Sequence, residues 1–215
     1  MLAIRKRHHV APTSSSSPKL AVLRVLDAGF MAALQQRPLA DIESRFHDGH
    51  HAYVAFIDDE PTAWGWAATQ RASIGELSTT LELSADTRYL WNFVTLPAHR
   101  GRGIYPRLID AIIEQESDAS TFLIAYAPEN HASAAGIRKA GFEPVAEMSF
   151  DMNAKPALRL ISPDAAQAVH GLSLPLVENQ LTPCWKCVRA GRSAMNCQRG
   201  TCQCDYQRKE QDCAA

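Results

Sequence analysis

The run from Trp91 to Ile109, WNFVTLPAHRGRGIYPRLI, sets an apolar stretch ending in Pro97 against a basic turn punctuated by Gly101 and Gly103, with an amphipathic stretch beyond it. A strand feeding a glycine-rich turn at a helix N-terminus makes an anion site. The first N–H groups of the helix have no intrahelical acceptor, and they carry the positive end of its dipole. Gly101 and Gly103 remove the Cβ atoms that would hold a phosphate away from that backbone. Arg100 and Arg102 add full charges with forked donors suited to phosphate oxygens. Neither of two familiar phosphate cradles is written here. The pattern G-x-x-x-x-G-K-[ST] is absent, and Pro106 stands at the third glycine of G-x-G-x-x-G.

A second segment, Thr121 to Phe142, opens as an apolar run of strand length that Pro128 breaks. Asn130 can cap the helix that follows, Lys139 suits its C-terminal dipole, and Gly141 can take the left-handed position just past its end. The two segments resemble motifs A and B of the GNAT family of N-acetyltransferases. Pro97, Arg100, Gly101, Gly103 and Ile104 match P-x-x-R-G-x-G-I, and Asn130, Ser133, Lys139, Gly141 and Phe142 match the second motif. The resemblance covers about residues 20–162. It implies an α/β (α+β) fold: a mixed, mostly antiparallel sheet flanked by helices and splayed between two central strands, where the pantetheine arm of acetyl-CoA inserts. By the same resemblance the cofactor-binding positions are Val94, Leu96, Arg100, Gly101, Arg102, Gly103, Ile104, Tyr105, Asn130, Ser133 and Lys139.

The implied chemistry is direct attack of an amine on the thioester carbonyl, with no covalent enzyme intermediate. A backbone N–H of the strand before the loop, Val94 or a neighbour, would hold the oxyanion. The motif B tyrosine that often protonates the departing thiolate is replaced by Ile137, so Tyr126 or Tyr105 must substitute or the thiolate leaves unassisted. Glu76 and Glu82, in the segment before the cofactor strand, are the candidates for the base that frees the amine of its proton. Asn92, polar within an apolar strand, is a candidate for the acceptor site; His50 and His51 read as non-ligands. The acceptor is an amine of a small molecule or a protein. The alternative is a non-catalytic acyl-CoA-binding regulator, which the missing tyrosine favours.

All six cysteines fall in the last stretch of the chain. Cys184 and Cys187 form a C-x₂-C knuckle, and Cys197, Cys202 and Cys204 follow it. This spacing predicts a structural Cys₄ zinc site with Cys184, Cys187, Cys197 and Cys202 as ligands and Cys204 as a rival fourth. A redox or iron–sulfur role for the surplus thiols is the competing reading. Arg189, Arg192, Arg199, Arg208 and Lys209 around the cysteines suggest a protein partner for this tail.

These groups need a scaffold, and the length and patterning supply one. The chain has 215 residues, 46% of them hydrophobic, with a formal net charge of −1, so a full core can form and no global charge footprint for nucleic acid or membrane exists. No apolar run reaches membrane-spanning length, and the basic N-terminus lacks the apolar stretch of a signal peptide, so a cytoplasmic protein is expected. Four parts are predicted: a flexible tail over 1–19, the acyltransferase domain over 20–162, a linker with a short helix over 163–183, and the cysteine-rich tail over 184–215. Within the domain, a strand from Leu20, two short helices, a hairpin turning at Asp58-Asp59-Glu60-Pro61, the cofactor strand and its helix, and a closing hairpin follow in order.

Overall fold

The computed structural model describes residues 1–7, 20–153, 155–169, 172–178, 185 and 188. In chain order the elements are β1 (Leu2–Lys6), β2 (Ala21–Val25), α1 (Ala28–Gln35), α2 (Leu39–His47), β3 (His51–Ile57) and β4 (Glu60–Ala68). There follow β5 (Arg71–Ile74), β6 (Thr79–Glu82), β7 (Thr87–Thr95), α3 (Ile104–Gln115), β8 (Thr121–Ala125), α4 (His131–Lys139), β9 (Glu143–Phe150), β10 (Pro156–Leu160) and α5 (Ala166–Val169). Eight strands form one sheet in the order β10-β9-β1-β8-β7-β4-β3-β2, and β5 pairs with β6 in a separate hairpin. Every neighbouring pair is antiparallel except β7 and β8.

Helices α3 and α4 cover one face of the sheet. Ile104, Leu108, Ile109, Ile112 and Ile113 recur at helical spacing along α3 and are all buried against Leu90, Phe122 and Ile124. Helices α1 and α2 cover one part of the other face, with Met31 and Ile42 over Trp64 and Trp66. The β5–β6 hairpin and the C-terminal segment cover the rest, around Leu81, Tyr89, Leu123 and Met148. Helix α4 ends as its sequence suggests. Gly141 has φ of +71°, its N–H bonds to Arg138 O at 2.9 Å, and Phe142 N–H reaches back to Ile137 O at 3.2 Å. This is a Schellman closure, in which a left-handed glycine turns the chain so that two otherwise orphan carbonyls are satisfied.

Two expectations need correcting. The first residues are not a flexible tail. Leu2, Ala3 and Ile4 are buried, and β1 lies inside the sheet between β8 and β9. The basic residues that gave this stretch a polar look are spent on distant partners. Arg5 pairs with Asp110 and donates to Ala140 O, while Arg7 donates to Ile113 O, Glu116 O and Ala119 O at the end of α3. Nor is the stretch after residue 163 a free linker. Leu176 bridges to Leu158 of β10, and Trp185 is buried in the core with its backbone N–H on a Glu129 carboxylate oxygen. No helix among the described residues is long and apolar enough to cross a membrane.

Candidate active site

The sheet opens where the chemistry was expected. Parallel pairing of β7 with β8 runs from Thr87/Thr121 to Leu90/Ile124 and stops there, while β7 continues to Thr95. Beyond Leu90 that edge of β7 has no strand beside it, and a cleft of about 670 Å³ occupies the gap. A bulge aims the strand at this point. Asn92 has a left-handed φ of +51°, and the register with β4 shifts between Trp64 and Trp66. The shift throws the Phe93 ring across Gly65, where a Cβ would come within 2.2 Å of it. Gly65 is therefore required by the bulge.

The loop after β7 faces the cleft with its backbone. Gly101 and Gly103 have φ of +78° and +68°, and a Cβ on either would project into open space with no protein atom within 4 Å. Helix α3 starts at Ile104 with no side chain capping it, so its first N–H groups are left for a ligand. Pro106 sits in that first turn, where a missing N–H costs nothing. Across the cleft, the Asn130 side chain accepts from Ser133 N–H at 3.0 Å and starts α4. Two helix N-termini thus point at one opening, an arrangement that suits a diphosphate.

Of the residues expected to hold the cofactor, Val94, Arg100, Gly101, Gly103, Ile104, Tyr105, Asn130, Ser133 and Lys139 line the cleft. Leu96 instead packs against the α1–α2 side of the sheet, and Arg102 is exposed outside the cleft. Phe93 and Gly136 also line it. Gly136 has no recognisable signal of its own in the sequence, yet a Cβ there would lie 2.3 Å from Tyr105 Cδ1. The Tyr105 ring therefore lies flat against α4, stacked obliquely on Phe93 at 5.2 Å between centroids, with its hydroxyl 3.5 Å from Ser133 Oγ. Burial pushes the Tyr105 phenol up to about 12, with the Ser133 contact pulling the other way, so it stays protonated at neutral pH.

Of the four candidates for proton transfer, Tyr105 alone lines the cleft, and Tyr126, Glu82 and Glu76 lie elsewhere. Tyr126 is buried among the α3–α4 core residues and does not line the cleft. Glu82 is exposed at the end of β6 in an ion pair with Arg71 at 3.0 Å. Glu76 sits in the short turn between β5 and β6, where its charge adds to the burial that raises Tyr89. The structure brings neither glutamate into the cleft.

The opposite face of β7 carries a cluster that no local signal announced. The Arg45 guanidinium lies 5.1 Å from the Trp66 ring centre and 4.7 Å from that of Trp91. Arg45 Nη1 donates to Gln35 Oε1 at 3.2 Å, and Asn92 Nδ2 donates to the same oxygen at 3.3 Å. His50 stands edge-on to Trp91 at 5.3 Å and donates Nε2–H to Arg71 O at 3.1 Å. Burial holds His50 below the usual imidazole range, with the Arg71 contact opposing, which favours the neutral ring.

The cysteines predicted to bind zinc, Cys184, Cys187, Cys197, Cys202 and Cys204, lie outside the described residues. Among the described residues no group of three or more His, Cys, Asp or Glu side chains could hold a metal ion.

The profile of the acetyltransferase (GNAT) family matches residues 20–142. Solved structures with a related shape include the aminoglycoside N-acetyltransferase AAC(6')-Iy with a bisubstrate analogue, 18% identical over 59% of this chain and 92% of that one, TM-score 0.47. Aminoglycoside acetyltransferase AAC(6')-Ib with coenzyme A and kanamycin is 15% identical over 71% and 99%, TM-score 0.48. AAC(6')-IG from Acinetobacter haemolyticus is 17% identical over 61% and 96%, TM-score 0.45. No curated protein sequence gives a significant match.

Proposed function

The chain belongs to the acetyltransferase (GNAT) family and is an N-acetyltransferase of that type; from this premise we propose that acetyl-CoA lies in the cleft between β7 and β8 and gives its acyl group directly to an amine. The observation that carries the reading is the coincidence of three features at one opening. Strand pairing ends at Leu90, two left-handed glycines face the gap, and the uncapped start of α3 points into it. A diphosphate fits against that backbone with Arg100 and Lys139 at the same cleft. The thioester then lies along the unpaired edge of β7, where a backbone N–H near Val94 can bond the oxyanion.

The neutral amine nitrogen attacks the thioester carbon, the C–S bond breaks, and coenzyme A leaves as the thiolate. We assign Tyr105 as the group that gives the thiolate its proton. It is the tyrosine that lines the cleft, it is protonated at neutral pH, and its ring lies against α4 beside Ile137. Tyr105→Phe is expected to lower kcat by about 100-fold, the low end of what a single proton transfer contributes, with the KM for acetyl-CoA little changed. An unchanged kcat would mean that the thiolate departs unassisted.

For the C-terminal tail we keep the structural zinc site and a protein partner as the reading. Its support is the cysteine spacing, together with the buried Trp185 between Cys184 and Cys187, which seats the start of the tail on the enzyme domain. Native mass spectrometry under reducing conditions, with and without acetyl-CoA, tests both halves. One bound zinc and one acetyl-CoA are the expected increments. Zinc without acetyl-CoA favours a binding protein organised by its cysteines, and acetyl-CoA without zinc removes the metal from the tail. Release of coenzyme A with a panel of amines separates the enzyme from a non-catalytic acyl-CoA-binding regulator.

A further inference from the structure

Arg45 is a half-buried cation with no carboxylate in ion-pair contact among the described residues. Asp41, one turn earlier on its helix, is paired with Arg37 at 3.8 Å and reaches Arg45 only as a longer-range charge. The guanidinium lies over both the Trp66 and the Trp91 ring and leaves its edge for hydrogen bonds, only one of which goes to Gln35. Gln35 has the complementary shortage. Its oxygen accepts from both Arg45 and Asn92, which fixes the amide orientation, and its Nε2 is buried with no acceptor among the described residues. The indole N–H groups of Trp66 and Trp91 are likewise unpartnered. Buried donors without acceptors are costly and uncommon in proteins that have nothing to bind there. Three of them, on Gln35, Trp66 and Trp91, lie beside a guanidinium with no carboxylate in contact.

The place matters as much as the composition. Gln35, Arg45, Trp91 and Asn92 are each half-buried, so the cluster reaches the surface. Trp91 and Asn92 also line the acyl-CoA cleft. The cluster is therefore one side chain away from the cleft, on the opposite face of the sheet. A molecule held there would reach the thioester from the side that the cofactor does not use.

We propose that Arg45 and Gln35 anchor a carboxylate of the acceptor, so that the amine acetylated belongs to an amino-acid-like molecule and not to a polycation. The inference rests on the acyl-transfer reading above. A planar guanidinium with a neighbouring amide N–H₂ matches the two oxygens of a carboxylate, and the stacking on Trp66 and Trp91 fixes the plane of that fork. A polyamine would be repelled by the guanidinium charge.

The test uses the full-length protein with acetyl-CoA and pairs of acceptors that differ only in charge: glycine and glycinamide, β-alanine and its amide, with spermidine as the polycation. Coenzyme A release is expected with the carboxylate member of a pair in preference to its amide. Arg45→Gln is expected to raise the KM for the carboxylate acceptor by about 10- to 100-fold, and so erase the preference. The KM for acetyl-CoA should not change. Arg45→Lys keeps the charge without the fork and should lie between. Preference for the amide or for spermidine, or a preference that survives Arg45→Gln, overturns the anchor. If Arg45→Gln does not fold, Gln35→Met reads the same preference. If no acceptor is turned over, tryptophan fluorescence titration with the acceptors in the presence of coenzyme A decides, and absence of Arg45-dependent carboxylate binding overturns it. Failure to bind acetyl-CoA would count instead against the acyl-transfer reading, since that site shares neither Arg45 nor Gln35.

Discussion

Gly103→Val is expected to weaken acetyl-CoA binding by about 100-fold while the protein stays folded. The φ of +68° at Gly103 is one that a β-branched residue adopts only with strain, on the order of 1–2 kcal/mol. That cost falls on a surface turn with open space around it, so the hydrophobic core is untouched. Binding suffers more than folding does. A valine either keeps the turn and stands where a phosphate must approach, or relaxes the turn and moves the first N–H groups of α3 away. Losing charge-assisted backbone contacts to a phosphate is worth roughly 1.5–3 kcal/mol, which is about 10- to 150-fold. Calorimetric titration with acetyl-CoA beside a thermal melt makes the comparison. Unchanged affinity in a folded variant would remove the loop from the cofactor site.

The second large effect lies at the far end of α3. Glu116, only 3% exposed, accepts hydrogen bonds from Arg88 Nε at 2.7 Å, the Tyr53 hydroxyl at 2.6 Å and His51 Nδ1 at 2.6 Å. Arg88 is equally buried. Burial alone would push the Glu116 carboxyl up, but the bonds from His51, Tyr53 and Arg88 outweigh it and hold the group at about 2, below its usual 4.5. The unfolded chain therefore takes up a proton that the native protein refuses through this window. Stability from Glu116 is complete above about pH 4.5, falls as pH drops towards 2, and amounts to something on the order of 3 kcal/mol. Glu116→Ala leaves Arg88 Nε, the Tyr53 hydroxyl and His51 Nδ1 without their acceptor while Asp118 stays paired to Arg88, and is expected to cost about 3 kcal/mol at neutral pH. Denaturant melts at pH 5.5 and pH 3 provide the check. Glu116→Gln should flatten the loss between those pH values, and wild-type stability that does not change between them would show that the network contributes nothing through ionisation.

Legibility followed the range of the interactions. The cofactor loop and both ends of α4 could be read because their determinants are adjacent. Glycines at left-handed positions, Asn130 as a cap and Gly141 as a stop each act within a few residues of themselves. Strand β1 could not be read in this way. A short apolar run followed by Arg5, Lys6 and Arg7 looks like a polar tail until the acceptors more than a hundred residues away are known. The bulge at Asn92 leaves no mark in composition, since the glycine that accommodates it, Gly65 under the Phe93 ring, lies on a neighbouring strand. Likewise, Gln35, Arg45, Trp66 and Trp91 come from four separate elements, and their charge shortage exists only after folding. Position along the chain points to Glu76 and Glu82, but the β5–β6 hairpin carries them out of the cleft.

The place of β1 in the sheet governs the order in which this protein can be made. Strand β1 is flanked by β8 and β9, which begin at residues 121 and 143. While the intervening chain is being extended on the ribosome, Leu2 to Lys6 have neither neighbour to pair with, and the half of the sheet that bears β2, β3, β4 and β7 must assemble without them. Closing so long a loop is slow, and a waiting apolar strand edge invites wrong pairing. Strand β1 thus leaves the ribosome long before either strand it pairs with.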